Sequence, residues 1–271
     1  MSFITHRQAD LTYLTASGLD GVPHGFSTRP GGVSAPPFDS LNLGIGRGDA
    51  PEAVAENYRR FCAALGVDEA RTVLSKQIHE DSIRTVTEDD AGKGLLRPRD
   101  YTADGLMTNV PGLPLVVFSA DCGILLLSDP VTGAVAAVHA GWRGTASGIV
   151  GKAVRALQRV YGARPENLRA AIGPCIDSCC FETDDDVPAA MHAALGSAAD
   201  PFLKKGEKKW QVDLKGLNRH WLLEAGVLPT GIDVCPLCTA CHPELFWSHR
   251  KMGEGRGAQI ALIAAVSGSP D

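Results

Sequence analysis

Two histidines and one cysteine are the residues of this chain best suited to chemistry. His79, Cys122 and His139 each adjoin a short apolar segment that predicts a β-strand. Two imidazoles and one thiolate suit a zinc ion, and three protein ligands leave the fourth position of a tetrahedral ion open. An open position is typical of catalytic zinc. The trio therefore predicts a metal-dependent enzyme.

A predicted hairpin would bring two of these residues together. Residues 124–128 and 134–138 are apolar, and the Asp-Pro-Val-Thr-Gly sequence between them is rich in turn formers. If the last four of those five residues form the loop, Ile124 lies opposite His139. Because side chains alternate between the two faces of a strand, Cys122 and His139 then share a face, about 7–8 Å apart at Cα.

His79 must reach the hairpin from another part of the chain. It follows the β-prone residues 72–75, and we expect this strand to end on the edge beside the hairpin. Each member of the trio also has an ordinary interpretation. A buried cysteine is often an inert small hydrophobe, and a histidine at a strand end is often only hydrogen-bonded.

The sequence after the second histidine predicts an anion site. It reads His139-Ala-Gly-Trp-Arg-Gly144, and apolar residues then recur at helical spacing from Ile149 to Val160. The free N–H groups at a helix start favour an anion, and Arg143 adds a bidentate donor. We therefore expect a phosphate or carboxylate beside the metal. In the alternative interpretation, the glycines only make the turn and Arg143 pairs with a surface acid.

Two rival functions use the same residues. Cys122 could be a nucleophile with His139 as its base, which would make the protein a cysteine hydrolase or amidase. Two histidines and one cysteine are also the ligands of blue-copper centres, so copper is the alternative ion and polyphenol oxidation the alternative activity. A multicopper laccase, however, needs many more ligands, usually as His-X-His pairs. The eight histidines of this chain form no such pair.

The elements that would position these residues form a mixed pattern. Strands are predicted over residues 72–75, 113–119, 124–128, 134–138, 168–172 and 258–266. Helices are predicted from Pro51 to Gly66, from Ile149 to Val160, and after Asp213 as N-cap. The charged residues 88–104 predict an exposed loop. This order predicts an α+β fold or a layered α/β arrangement.

Ten short segments carry a resemblance to a known family. They are Ser27-Thr-Arg-Pro-Gly-Gly-Val-Ser34, Leu41-Asn-Leu-Gly44, Lys76-Gln-Ile-His79, Ala103-Asp-Gly-Leu-Met-Thr108, Ala120-Asp-Cys122, His139-Ala-Gly-Trp-Arg-Gly144, Ile172-Gly-Pro174, Cys180-Phe-Glu182, Cys238-Thr239 and Phe246-Trp-Ser-His-Arg250. Together they resemble the YfiH-type family, also called the laccase-domain or polyphenol oxidoreductase family. The resemblance runs from about residue 24 to residue 262.

The resemblance implies both an activity and a fold. Members of the family are purine nucleoside phosphorylases that split adenosine, inosine or methylthioadenosine with phosphate, with an accompanying adenosine deaminase activity. Their zinc is bound by His, Cys and His, which match His79, Cys122 and His139. The implied fold is a single α+β catalytic domain over residues 1–271, layered α/β/β/α. It is similar to the catalytic domain of cytotoxic necrotising factor, with mixed β-sheets flanked by helices.

Candidate substrate residues accompany the trio. Four are expected to bind substrate: Arg143, Arg29, Asn42 and Gln77. The arginines would hold phosphate, and the two amides would hydrogen-bond the nucleoside. Deamination also needs a proton carrier, for which Asp121 and Glu182 are the candidates. Either carboxylate could equally be a helix cap or a partner of a histidine.

Composition restricts the partners. The chain has 271 residues, of which 44% are hydrophobic, and a net charge of −5. It can bury a sizeable core, and it lacks the long basic run that general nucleic-acid binding requires. We expect a purine nucleoside and phosphate as partners, with no nucleic acid and no membrane. The sequence lacks a membrane-spanning stretch and a signal peptide, which predicts a cytoplasmic protein with reduced cysteines.

The remaining cysteines do not predict a complete metal site. Cys235, Cys238 and Cys241 are spaced like the start of an iron–sulfur motif, but the fourth cysteine of that motif is missing. A structural zinc site would need a second, well-spaced pair. We therefore expect reduced thiols in a turn, and we expect Cys179 and Cys180 to pack as ordinary side chains.

Overall fold

The computed structural model describes residues 2–266 and contains fifteen strands and six α-helices over that range. The strands are β1 Phe3–Gln8, β2 Leu11–Ala16, β3 His24–Ser27, β4 Val73–Leu74, β5 Ile83–Thr85, β6 Gly105–Thr108, β7 Pro114–Ser119, β8 Gly123–Ser128, β9 Val135–Ala140, β10 Arg169–Ile172, β11 Glu182–Thr183, β12 Leu203–Lys205, β13 Trp210–Val212, β14 Ile232–Val234 and β15 Gln259–Ala264. The helices are α1 Pro51–Leu65, α2 Trp142–Ala146, α3 Ile149–Tyr161, α4 Asp186–Leu195, α5 Leu214–Glu224 and α6 His249–Met252.

Two six-stranded sheets form the centre of the fold. The first has the strand order β1-β2-β3-β15-β7-β4, and the second has the order β14-β10-β8-β9-β6-β5. Both mix parallel and antiparallel neighbours: β4 runs parallel to β7, and β5 runs parallel to β6. A small third sheet, β11-β13-β12, lies apart from these two.

The side chains of the central strands alternate between two apolar layers. Leu115 and Val117 of β7 lie in one apolar layer with Leu126 of the second sheet. Val116 faces the opposite way and packs towards α1. Leu125 of β8 faces the other way, towards α3 and α5. Because side chains alternate between the two faces of a strand, each sheet packs against the other sheet on one face and against helices on the opposite face. The fold therefore has four layers: α1, the first sheet, the second sheet, and α3 with α5. The protein has an α+β fold with mixed sheets flanked by helices, as predicted.

The predicted helices form where their sequence signals lie. α1 begins at Pro51 and ends at Gly66, whose φ of 68° is the left-handed conformation that glycine adopts most easily. α3 carries its apolar residues on one buried face and ends in the same way at Gly162. Asp213 caps α5 by accepting a hydrogen bond from the Gly216 N–H.

The predicted hairpin forms with the predicted register. β8 pairs antiparallel with β9, and Ile124 lies opposite His139. One prediction about its surroundings was wrong: residues 72–75 form only the short β4, which lies at the edge of the other sheet. The small third sheet was not predicted, and neither were six strands of the two large sheets: β1, β2, β3, β5, β6 and β14. Within residues 2–266, no helix combines the length and the apolar character that a bilayer crossing requires.

Candidate active site and metal centre

The structure brings His79, Cys122 and His139 together. One potential ligand atom from each lies within 4.8 Å of the others. The two imidazole rings stand at 89° to each other with centroids 4.9 Å apart, so one ring presents its edge to the other. His139 is buried in β9, Cys122 directly precedes β8, and His79 is exposed. Three donors that converge from separate segments are what a metal ion requires.

His79 lies in a loop rather than at the end of a strand. The loop connects β4 of the first sheet to β5 of the second, and so crosses from one sheet to the other. His79 has a φ of 61°, an uncommon left-handed conformation for a residue with a Cβ. Such a conformation persists only where surrounding contacts enforce it. Here those contacts come from the carboxylate of Asp104.

Asp104 holds both histidines in place. Its carboxylate accepts hydrogen bonds from the backbone N–H groups of Ile78, His79 and Glu80, at 3.2, 3.0 and 2.9 Å. The same carboxylate accepts a 2.8 Å hydrogen bond from Nδ1 of His139. The Asp104 carbonyl also accepts from the His139 backbone N–H at 2.7 Å. A carboxylate on the far nitrogen of a histidine is the usual support for a metal ligand, because it fixes the ring and its tautomer.

The electrostatics of the trio favour a thiolate. Burial opposes ionisation of Cys122, but the charge of His139 and hydrogen bonds from His139 and His79 outweigh it, and the pKa of the thiol falls to about 6. Burial likewise opposes protonation of His139, yet the charge of Cys122 and the hydrogen bond to Asp104 raise its pKa to about 9. Cys122 is therefore prepared as an anion, the form in which cysteine binds metal.

Gly141 allows the three side chains to approach one another. A Cβ at this position would lie 3.2 Å from Cδ2 of His79, 3.3 Å from Sγ of Cys122 and 3.6 Å from Cε1 of His139. The backbone of Gly141 has an ordinary φ of −62°, so the turn itself does not require glycine. Space beside the trio explains this residue better than backbone freedom.

A small polar cleft opens on one side of the trio. Its volume is about 160 Å³, and His79, Cys122 and His139 all line it. Four cationic side chains share the lining: Arg47, Lys76, Arg99 and Arg256. Positive charge converging on a small cleft favours a compact anion.

A larger cavity adjoins this cleft. It measures about 400 Å³ and shares Arg47, His79, Cys122 and Arg256 with the cleft. Its other lining residues include four apolar or aromatic side chains: Trp142, Ile176, Phe181 and Leu214. A cavity of this size that combines apolar and aromatic side chains with polar groups suits a small organic molecule.

Arg256 differs from the other three cations in having a buried donor without a partner among the described residues. Its Nη1 donates to the Gly257 carbonyl at 3.0 Å, but its buried Nε has no hydrogen-bond partner in the described part of the chain. Burial lowers the pKa of this guanidinium, and the neighbouring charge of Arg47 lowers it further. An anion in the cleft would relieve both the unpaired donor and the repulsion between the two cations.

The two arginines expected to bind phosphate lie elsewhere. Arg143 is exposed and stacks on Trp142, with its guanidinium carbon 4.2 Å from the ring centroid. It therefore contacts a residue that lines the larger cavity but does not line that cavity itself. Arg29 lies in a separate cleft, where it forms an ion pair with Asp39 and stacks on Trp247. Neither residue lines the cavities beside the trio.

The two predicted amides organise the loops behind the cleft. Asn42 is buried, and its Oδ1 accepts hydrogen bonds from the backbone N–H groups of Gly44 and Ala258, both of which line the cleft. Gln77 lines the cleft directly, but its amide exchanges two hydrogen bonds with the backbone of Phe118. Both amides are thus engaged with the protein.

Of the two candidate proton carriers, only Asp121 lies beside the trio. Asp121 lines the larger cavity, and its two carboxylate oxygens accept hydrogen bonds from Thr239 Oγ1, Ser248 Oγ and the Arg250 N–H. Glu182 lies exposed on β11, outside both cavities.

Sequence reasoning missed the roles of Asp104, Arg47 and Arg256. Asp104 lies within a segment that carries the family resemblance, and both arginines are flanked by glycines. Those glycines mark loops, which was the available signal.

Comparison with known proteins places the chain in a family. The family model for multi-copper polyphenol oxidoreductase laccase matches residues 23–266. The chain belongs to this family. The laccase-domain assignment agrees with the resemblance found in the sequence, and it covers the second sheet, the first sheet except β1 and β2, and every residue of the trio.

Similar members of the laccase-domain family support the same assignment. The chain is 35% identical to purine nucleoside phosphorylase YlmD of Bacillus subtilis over 244 residues, covering 88% of this chain and 87% of the relative. It is 39% identical to a purine nucleoside phosphorylase of Deinococcus radiodurans, covering 92% and 94%. The crystal structure of YfiH from Bacillus licheniformis superposes with a TM-score of 0.91 at 35% identity, covering 96% of this chain and 98% of that one.

Proposed function

We propose that this protein is a zinc-dependent purine nucleoside phosphorylase in which His79, Cys122 and His139 hold the ion. The observation that carries the proposal is the position of the trio between a cationic cleft and a larger cavity that is lined in part by apolar and aromatic side chains. Relatives that cover most of the chain are named purine nucleoside phosphorylases, which supports the same reaction. The trio supplies two nitrogen donors and one thiolate, a set that fits zinc.

The two cavities suit the two substrates. In phosphorolysis, a phosphate oxygen attacks C1′ of the ribose, the bond from C1′ to the purine breaks, and ribose 1-phosphate and the free base result. Phosphate fits the cleft, where Arg47 and Arg256 can donate to its oxygens. The purine fits the larger cavity beside Trp142 and Phe181, whose aromatic faces can pack against the base. This places C1′ between the cavities, next to the trio.

The chain's own residues provide orientation and charge. Arg47 and Arg256 neutralise the phosphate and aim it towards the larger cavity, which makes the attack effectively intramolecular. Asp104 keeps both histidines fixed throughout. A bound zinc ion would add a Lewis acid that polarises an oxygen of a substrate or of water. If the same ion polarised a water molecule, it would also support an accompanying adenosine deaminase activity.

Product analysis tests this function. The purified protein is incubated with adenosine, inosine or methylthioadenosine, with and without phosphate, and the products are separated by chromatography. We expect free base and a pentose 1-phosphate only when phosphate is present, and inosine from adenosine in either case. If none of the three nucleosides is cleaved or deaminated by zinc-loaded protein, the proposed function is wrong.

One observation favours a second function. Cys122, His139 and Asp104 form a hydrogen-bonded series with a lowered thiol pKa, which is also the arrangement of a cysteine hydrolase. The first proposal is stronger because it also explains the convergence of His79, which a nucleophile–base pair does not need. Rapid alkylation of Cys122 in protein isolated without a stoichiometric metal would favour the hydrolase.

Copper is the alternative ion, as the description of the family suggests. Blue-copper centres add a weak axial ligand, usually methionine, to two histidines and one cysteine. The residues lining the cleft and the larger cavity include no methionine. Stoichiometric copper with an intense blue absorption in the isolated protein would nevertheless replace zinc in this proposal.

A further inference from the structure

Four cysteine sulfurs converge at a second place in the molecule. The Sγ atoms of Cys179, Cys180, Cys238 and Cys241 all lie within 4.8 Å of one another. The sulfur of Cys241 is 3.5 Å from that of Cys179 and 3.4 Å from that of Cys180, and those two are 3.8 Å apart. The adjacent cysteines therefore turn towards the same point, contrary to the expectation that they pack as ordinary side chains. Cys235, which is spaced regularly with Cys238 and Cys241 in the sequence, is buried in the main core instead.

These separations match the edges of a zinc–thiolate tetrahedron. With zinc–sulfur bonds of about 2.3 Å, neighbouring sulfurs in a tetrahedral site lie about 3.8 Å apart. A disulfide would instead require sulfurs about 2.05 Å apart. The three sulfurs of Cys179, Cys180 and Cys241 are close to the tetrahedral spacing, and the sulfur of Cys238 lies within 4.8 Å of each of them. Four thiolates around one zinc ion would leave no position for water or substrate, which is the property of a structural site.

The backbone around Cys238 is shaped for a thiolate. Its Sγ accepts a hydrogen bond from the Asp177 N–H at 3.3 Å. The Cys238-Thr-Ala-Cys241 turn is a C-x2-C pair, the spacing at which one turn supplies two zinc ligands. N–H groups directed at a sulfur stabilise its anionic form, as they do for other anions.

The cysteine cluster joins two loops that border the active site. Residues 175–182 and 235–242 meet here, and a backbone bridge pairs Cys175 with Cys238. Phe181, next to Cys180, lines the larger cavity. Arg250 lines it too, and its guanidinium donates to the carbonyls of Cys180 and Glu182 at 2.9 Å each. An ion at the cluster would therefore fix one wall of that cavity.

We propose that Cys179, Cys180, Cys238 and Cys241 bind a structural zinc ion, distinct from the ion of the catalytic trio. Each thiol loses its proton on binding, and four thiolates with one Zn²⁺ complete the site without any redox step. The site anchors the two loops as a disulfide would, but in a reducing compartment. It does not depend on the proposed phosphorylase activity.

Metal counting tests the second site. Zinc per chain is measured by mass spectrometry on protein isolated without chelator. We expect about two ions in the wild type, one in Cys122→Ala, one in the double variant Cys179→Ser with Cys241→Ser, and none in the triple variant. Cys62→Ala, which removes a buried thiol outside both sites, should keep two. A double variant that retains as much zinc as the wild type would overturn the proposal.

A spectroscopic measurement covers the case in which the double variant does not fold. Cys122→Ala is loaded with Co²⁺ in place of zinc, and the sulfur-to-cobalt charge-transfer absorption is recorded. The cluster predicts an absorption per ion about four times that of a site with one thiolate. Absence of this band, or a Cys179–Cys241 disulfide in protein isolated without air, would overturn the site. If Cys122→Ala shows the band but the zinc-loaded wild type cleaves no nucleoside, only the proposed function is contradicted.

Discussion

The Asp104 carboxylate accepts a 2.8 Å hydrogen bond from Nδ1 of His139 and, through three backbone N–H groups, also fixes the loop that carries His79. One buried side chain thus positions two of the three proposed ligands. The residues it joins are far apart in the chain: Asp104 is 25 residues from His79 and 35 from His139. The geometry of the trio depends on this carboxylate as much as on the ligands themselves.

Replacement of Asp104 should weaken the metal site. Asp104→Asn keeps the shape of the side chain but replaces one accepting oxygen with a donor. It therefore loses either the hydrogen bonds from His139 and the His79 N–H, which share Oδ1, or those from the Ile78 and Glu80 N–H groups, which share Oδ2. We expect zinc affinity at the trio to fall about 10–100-fold, the usual effect of removing such a partner. Competition with a chelator dye measures the affinity. Asp200→Asn, at an exposed position, is the control, and equal affinity in the two variants would contradict the role of Asp104.

A methyl group beside the trio should crowd it. Gly141→Ala places a Cβ 3.2 Å from His79 and 3.3 Å from Cys122. Overpacking of this kind costs about 1–3 kcal/mol, so we expect zinc affinity and kcat to fall about tenfold or more while the melting temperature changes little. Gly255→Ala is the matched control, since a Cβ there meets no atom within 4 Å. Full activity of Gly141→Ala would show that the space beside the trio is not needed.

Removal of a cleft cation should weaken phosphate binding alone. In Arg256→Gln or Arg47→Gln, one donor to the phosphate is lost, and a charge-assisted hydrogen bond contributes about 1.5–3 kcal/mol. We expect the KM for phosphate to rise about tenfold or more, with the KM for the nucleoside nearly unchanged. Initial rates at varied phosphate measure the effect, with exposed Arg7→Gln as control. If Arg143→Gln raises this KM and Arg256→Gln does not, the phosphate site has been placed wrongly.

The loop beside the cleft should lose stability in acid. Asp90 accepts hydrogen bonds from the Thr87 N–H and from Arg84, and forms an ion pair with Lys93. Burial opposes its ionisation, but these partners outweigh burial and lower the pKa of Asp90 below its ordinary value of 3.8. A folded-state pKa below the unfolded one stabilises the protein above the unfolded pKa, and this stability is lost as pH falls through the folded pKa.

Asp90→Asn tests this dependence. At pH 7 the variant should be less stable by about 1–3 kcal/mol in the free energy of unfolding, since it loses hydrogen bonds to a charged group. The difference from the wild type should shrink as pH falls below 3.8, the ordinary carboxyl pKa, and should be lost once the folded wild-type carboxylate is protonated as well. Urea unfolding at a series of pH values measures it. A difference that stays constant down to pH 2 would contradict the assignment.

The elements that depend on local signals could be predicted from the sequence. The register that sets Ile124 opposite His139 follows from a short turn and a period of two, and both act over a few residues. α1 and α3 follow from apolar spacing and from the glycines that end them. The same local signals place Cys122 and His139 on one face of the hairpin.

Contacts between distant segments could not be predicted in this way. The loop of His79 starts in one sheet and ends in the other, so its position depends on how the sheets pack rather than on its own residues. Cys179 and Cys241 meet across 62 residues, and the spacing of Cys238 and Cys241 alone did not reveal their partners. Arg256 likewise reaches the cleft because Gly257 and Ala258 lead into β15. This strand belongs to the first sheet, whereas His139 lies on β9 of the second. Only the assembled fold brings these side chains together.

The most direct test is phosphorolysis by metal-depleted protein. Zinc is removed from the trio with a chelator, and free base released from adenosine in the presence of phosphate is measured as zinc is added back. We expect activity to be lost on depletion and to return with about one equivalent of zinc per trio in the wild type, but not in Cys122→Ala. Undiminished phosphate-dependent cleavage by zinc-free protein, or full recovery in Cys122→Ala, would contradict a catalytic ion held by His79, Cys122 and His139.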